Sequence, residues 1–175
     1  GFWHFTVSTA GEYGLEISNY VDERRNAEKS TRAAAEFLKR AHQKFGSWTL
    51  AAAAFNRGSR GIENALKGQG NMSYYQLYLN EETARYVFRI LALKLIIEAP
   101  EKYGYRLSPS DYYQPVEYKT ILIDKSIQDL PQFAKSIGAT YQILKEHNPW
   151  IQNTDYKLVL TEGKKYKIRI PAKKD

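Results

Sequence analysis

Between residues 26 and 45 the apolar positions Ala34, Phe37, Leu38, Ala41 and Phe45 recur at helical spacing, which predicts an amphipathic helix. Asn26 can cap its start, Glu28 suits its first turn, and Gly46 supplies the stop. Ser47 is placed to cap a second helix from Trp48 to Phe55, whose alanines permit close approach to neighbours. Ser59 opens a third, to near Lys67, and Gly68-Gln69-Gly70-Asn71 breaks it. Ser73 starts a short aromatic turn with Tyr74, Tyr75 and Tyr78. Asn80 is the expected cap of the longest helix, Glu81 to Glu98, with Tyr86, Ile90, Leu93 and Ile97 on one stripe; Pro100 and Gly104 end it.

The pattern changes after the linker-like stretch at 104–116. Tyr118 to Ile123 alternates as a strand does, and so does Lys165 to Ile170 before Pro171. Between them a helix is expected from Ile127 to Ile137, with Pro131 tolerated in its first turn and Gly138 at its end. Thr140 caps another, ending at His147 before Asn148-Pro149. The predicted fold class is mainly α. A helical domain over 1–103 is followed by a linker over 104–116 and a small α+β (βααβ) domain over 117–171.

Composition narrows the function classes. An apolar fraction of 43% in 175 residues is enough for a core, so wholesale disorder is not expected. The net charge of +7 favours an anionic partner: nucleic acid, membrane surface or cell-wall polymer. It is dispersed, with no long basic run, which argues against nucleic acid. Cysteine is absent, which removes disulfides, thiolate zinc sites and a cysteine nucleophile. His4, His42 and His147 lie far apart without ligand spacing, so neither a metal nor a cofactor is expected. Ile90 to Ile97 is the longest apolar run; Lys94 interrupts it, and it is too short to span a bilayer. No signal peptide is read, and the start at Gly1 without a methionine reads as a processed chain or an excised piece, with Gly1 a vector remnant at the extreme.

Core packing alone does not call for Ala51-Ala52-Ala53-Ala54-Phe55-Asn56-Arg57-Gly58 followed by Glu82-Thr83-Ala84-Arg85-Tyr86-Val87. The pair resembles the Leu-Ala-Ala-Tyr-Asn-x-Gly and Glu-Thr-x-x-Tyr-Val motifs of the lysozyme-like (SLT) lytic transglycosylases. Gly1-Phe2-Trp3-His4-Phe5 with Ser8-Thr9 is similar to that family's Gly-Leu-Trp-Gln-Phe and Ser-Thr, and Asp22-Glu23-Arg24-Arg25 to its Asp-x-Arg segment. Four segments in the family's order imply a lysozyme-like fold over residues 1–103. The family cleaves the MurNAc–GlcNAc bond of peptidoglycan without water, leaving 1,6-anhydroMurNAc ends. Most glycosidases use two carboxylates. This family is understood to use one glutamate, as acid and then as base, and such an acid needs a raised pKa.

That glutamate belongs to a Glu-Ser motif upstream of the Gly-x-Trp segment, which here begins at residue 1. The resemblance therefore implies that the lysozyme-like domain is truncated, that no catalytic residue lies in this chain, and that it has no lytic activity alone. Glu12, Glu16, Asp22 and Glu23 lie near in sequence; exposed charge or ion pairing with Arg24 or Arg25 is the expectation for each, over a substitute acid. The remaining site residues carry over by resemblance. Trp3 matches the motif's tryptophan, and His4 stands where the family's glutamine bonds sugar. Phe55 replaces a tyrosine and is either a stacking face or core. Asn56 bridges backbone and substrate or caps its turn. Tyr86 matches the tyrosine that orients the acid, with a buried tyrosine paired elsewhere as the alternative. Arg57 reads as a solvated rim charge.

Leu130, Phe133-Ala134, Ile137-Gly138-Ala139-Thr140, Leu144 and Asn148-Pro149-Trp150-Ile151 resemble a LysM domain, a βααβ module that binds GlcNAc-containing glycans. Asp124-Lys125-Ser126-Ile127 replaces the usual Gly-Asp-Thr-Leu, and the segment with Asn153 and Leu158-Val159-Leu160 is longer than usual. Trp150 and Asn148 are the candidate sugar contacts, against core packing and helix capping. A LysM-like unit used only for packing is the other reading. The implied partner is the peptidoglycan glycan strand, with no nucleic acid, and the implied place is the bacterial envelope. Peripheral or lipid-anchored membrane association would run through an N-terminal segment. A non-catalytic peptidoglycan-binding or scaffold protein is the alternative to an enzyme.

Overall fold

Seven α-helices and one two-stranded antiparallel sheet form among residues 1–152 and 155–172, the residues described by the computed structural model. The expectation placed on Asn153 lies outside them. The chain is mainly helical, with its small sheet near the C-terminus. By proximity it divides into two compact units, residues 35–114 and residues 1–34 with 115–175.

In the first of these units, the part of helix α2 (Ala27–Phe45) from residue 35 on leads into α3 (Trp48–Arg57), α4 (Ser59–Gln69) and α5 (Glu81–Glu98). Helix α3 is the hub. It buries Leu50, Ala51, Ala53 and Ala54 and packs on both α4 and α5. Three small side chains on that face let the neighbouring backbones come close, which a larger residue would prevent. Gly58, at φ 85, ends α3 and starts α4 in a conformation that costs an L-residue about 1 kcal/mol or more. Tyr74 is buried beside α5 and donates its hydroxyl to the carbonyls of Thr83 and Ala84.

Burial in α5 is confined to Thr83 and Val87. The expected core stripe does not bury: Ile90, Leu93 and Ile97 are exposed among the described residues, as are Phe88, Leu91 and Leu95. Asn80 also departs from expectation. It sits at the N-cap position, but its amide oxygen accepts from the Thr83 hydroxyl and from Arg57 rather than from a backbone N–H.

The other unit begins with a helix that the polar-rich sequence did not announce, α1 (Val7–Glu12), capped by the Thr6 hydroxyl accepting from the Thr9 amide. Its later part runs β1 (Tyr118–Ile123), α6 (Leu130–Ser136), α7 (Tyr141–His147) and β2 (Tyr166–Pro171), the βααβ order. The strands pair antiparallel, Tyr118 opposite Pro171 and Ile123 opposite Tyr166. Helix α6 starts three residues later than Ile127. Asp129 caps it by accepting from the Gln132 amide, while Ile127 exchanges backbone hydrogen bonds with Leu158. A local acceptor and an extended partner together outweigh helical periodicity there.

Ile123, Leu130, Ala134, Leu144, Trp150, Ile151, Leu158, Tyr166 and Ile168 form the core of this part, and Val21 belongs to it as well. The backbone around Val21 pairs with the segment after α7. Asp22 N–H donates to the Trp150 carbonyl and Gln152 N–H to the Tyr20 carbonyl, each at 2.8 Å. Full burial of one valine contributes roughly 1.5–3 kcal/mol, so Val21 is a substantial tie between the chain's start and its end.

Candidate functional site

The Gly1–Phe5 segment is held by two anchors. Trp3 Nε1 donates to Thr31 Oγ1 at 2.8 Å, and the Phe5 carbonyl accepts from Arg24 Nη1 at 3.2 Å. Gly1 lies so close to the Arg24 carbonyl that a Cβ would stand 2.1 Å from its oxygen, which gives this glycine a packing reason. Between the anchors His4 is exposed and takes φ 51, the left-handed region that few side chains adopt. Backbone held in that state by anchors on both sides presents its imidazole outward, as a contact residue requires.

In the 35–114 unit the two helical motifs interlock through Asn56. Its Nδ2 donates to Glu82 Oε1 at 3.0 Å, and its Oδ1 accepts from the Thr83 hydroxyl at 2.8 Å. Asn56 thus serves neither its own turn nor open solvent alone; it joins the end of α3 to the start of α5. Phe55 packs edge-on against Phe37, ring centroids 5.1 Å apart, with part of its surface still open. Tyr86, one turn along α5 from Glu82, is half-buried, and burial raises its phenol pKa, so the neutral donor form persists at physiological pH. Among the described residues nothing accepts from its hydroxyl. Arg57 is more than a solvated charge: its guanidinium bonds Asn80, and its stem fills the space that a Cβ on Gly61 would need.

None of the four nearby carboxylates has the environment of a general acid. Glu12 is exposed. Asp22 accepts from Arg24 Nε and Nη2 at 2.9 and 2.8 Å, and these bonds hold its pKa below the ordinary value against the opposing effect of burial. Glu23 is buried and paired with Lys29. For Glu16, burial opposes ionisation, but bonds from Lys164, Thr161 and Tyr166 outweigh it and the pKa falls. An acid poised to give a proton near neutrality needs the opposite shift.

Asn148 and Trp150 turn inward. Asn148 Nδ2 donates to the carbonyls of Leu144 and Arg169 and its Oδ1 accepts from Arg169 N–H, so its amide is spent on joining α7 to β2. Trp150 is 4% exposed and stacks on Tyr166 at 5.5 Å and 18°. Their expected role as sugar contacts gives way to packing, because neither keeps a free amide or ring face. Lys145 adds a further tie, donating to the Ile151 carbonyl.

Comparison with known sequences decides which domains these are. Residues 1–78 match the transglycosylase SLT domain, and residues 119–174 match the soluble lytic transglycosylase C-terminal LysM-like domain. The chain carries an SLT domain and a LysM-like domain. It is similar to the membrane-bound lytic murein transglycosylase D of Escherichia coli strain K12, 35% identical over 116 residues, covering 63% of this chain and 26% of that protein. The enzyme of the same name from E. coli O6:H1 matches equally. A protein named for tributyltin chloride resistance, from Alteromonas sp. (strain M-1), is 37% identical over 82 residues, 44% of this chain and 39% of that one. The chain spans about a quarter of the length of the two E. coli relatives.

Trp3, His4, Phe55 and Asn56 fall inside the SLT match, and Asn148 and Trp150 inside the LysM-like match. Tyr86 lies beyond residue 78 and is tied to the SLT domain through Asn56 and the first turn of α5. Thr83, Thr31 and Glu16 were not singled out as structural partners in the sequence. Thr83 lies within a motif, but the partners of Thr31 and Glu16 are far away in the chain and leave no local signal. No helix among the described residues is long and apolar enough to cross a membrane.

Proposed function

We propose that this chain supplies the glycan-holding part of a peptidoglycan lytic transglycosylase of the bacterial envelope. The reaction is cleavage of the MurNAc–GlcNAc bond to leave a 1,6-anhydroMurNAc end. The observation that carries the reading is the Asn56 junction, which fixes the motif of α3 to that of α5, with an uncharged Tyr86 phenol one turn away. In this reading His4 and Asn56 hydrogen-bond the sugars, Trp3 and Phe55 offer aromatic faces, and Tyr86 donates towards the acid. The domain organisation proposed with it is 1–103, 104–116 and 117–171.

The ionised state of Glu16 and Asp22 and the ion pair of Glu23 favour a second reading for residues 1–175 themselves: they bind glycan strands without cleaving them. Two measurements separate the readings. Retention of the chain on insoluble peptidoglycan at physiological salt supports glycan binding, and its loss in Asn56→Ala assigns the site. Clearing of a peptidoglycan zymogram by the chain alone would overturn the non-catalytic reading. Absence of both retention and clearing would sink both.

A further inference from the structure

The Gly1–Phe5 segment belongs to no sheet, and besides the Trp3–Thr31 bond its supports come from one arginine. Arg24 packs its backbone on Gly1 and donates to the Phe5 carbonyl. Asp22 grips the Arg24 guanidinium with two bonds and holds the Arg24 amide with a third. The Asp22 N–H in turn donates to the Trp150 carbonyl of the LysM-like domain, and Trp150 rests its ring on Tyr166. A second strut runs alongside. Glu16 accepts from Thr161 at 2.6 Å, Lys164 at 2.7 Å and the Tyr166 hydroxyl at 2.8 Å. Its backbone exchanges hydrogen bonds with Glu23, the neighbour of Asp22 and Arg24, through the carboxylate at 2.9 Å and the amide at 2.8 Å.

The links through Asp22, Arg24 and Tyr166 are at least partly buried, while those of Thr161 and Lys164 to Glu16 lie at an exposed rim. Trp150, Asn148 and Tyr166 are all buried; the Tyr166 hydroxyl bonds Glu16 of this framework, and the Asn148 amide bonds Leu144 and Arg169. We propose that the LysM-like domain is a brace for the sugar-contacting segment. Glu16, Arg24 and Tyr166 are its positioning residues, holding Trp3 and His4 in place across about one hundred and fifty residues of sequence (roughly the span between His4 and the Trp150–Tyr166 pair). This rests on the proposed glycan contacts of Trp3 and His4.

Three histidines make the test direct, because each reports on a different place. His4 sits on the braced segment, His147 packs on Tyr118 in the LysM-like domain, and His42 stacks on Trp48 in the 35–114 unit. The full chain is compared with Glu16→Gln, Tyr166→Phe and Arg24→Lys by histidine ring NMR and by titration with chitotetraose. The expected result is a displaced or broadened His4 signal in every variant, unchanged His42 and His147 signals, and roughly tenfold weaker chitotetraose binding, since small misplacement of a contact group is costly. Should Glu16→Gln unfold, Lys164→Met loosens the same strut from its exposed rim. An unmoved His4 signal in folded variants overturns the brace while leaving glycan binding by the wild type intact. A displaced His4 with undiminished affinity overturns the positioning role. If the wild type does not bind chitotetraose, the glycan reading falls and the positioning role with it.

Discussion

The Thr83 hydroxyl sits 2.8 Å from the amide oxygen of Asn56 and 2.8 Å from that of Asn80, so a single buried side chain joins two helix ends. Only one proton is available for the two oxygens, and the hydroxyl is shared between them. Thr83→Val keeps the shape and removes that proton. The expected loss is about 1–2 kcal/mol of stability, read as a lower urea midpoint at unchanged m-value. An unchanged midpoint would show that the junction contributes nothing.

Helix α3 tolerates little on its buried face. Ala54→Leu places three more carbons where the side chain is wholly buried, with an expected cost of about 1–3 kcal/mol, or more if the helices cannot separate. The same change at exposed Lys39 of α2 should alter thermal unfolding by less than about 0.5 kcal/mol. Equal effects at the two sites would contradict the close approach of α3 to its neighbours.

Acid should loosen the start of the chain. Asp22 and Glu16 titrate below their ordinary values when folded, so their contribution is complete above the unfolded carboxylate pKa of about 4. It is lost as pH falls through the lower folded values. Melting temperature should therefore drop from pH 5 towards pH 2, and Glu16→Gln should flatten part of that drop. Glu36→Gln, in an exposed pair with Arg40, should leave the profile as it is.

Trp150→Ala should cost about 3–5 kcal/mol, as removal of a buried indole does. Its fluorescence should resist acrylamide, in contrast to that of exposed Trp48. Trp150→Phe, keeping a ring against Tyr166, should recover part of the loss. Free quenching of all three tryptophans would show that Trp150 faces solvent.

Local signals in the sequence carried the helices well, and non-local ones not at all. Glu81 and Glu98 bound α5 as read, because Asn80 and Pro100 punctuate it. The βααβ order was visible in two alternating runs and in Thr140, which caps α7 as expected. The same periodicity misplaced the start of α6, where Asp129 and the Leu158 partner of Ile127 decide, and it promised a buried stripe on α5 that the described residues do not cover. At the site, the motif residues Asn56 and Tyr86 were legible as chemistry. What Asn56 bonds to was not, since Glu82 and Thr83 meet it only after two helices pack. Trp150 and Asn148 read as sugar contacts because aromatic and amide types suit both sugars and cores; only burial separates the two uses.

Val21 has a consequence for how the molecule is made. It lies in a core whose other members all come from residue 123 onward, and Glu16 meets Tyr166 across 150 positions. On a ribosome the segment bearing His4 emerges long before β2, yet its anchorage cannot close until β2 has been synthesised. Residues 35–114 have their own internal contacts and are free to fold in the meantime. A segment made well before β2 is thus among the last to reach its final place.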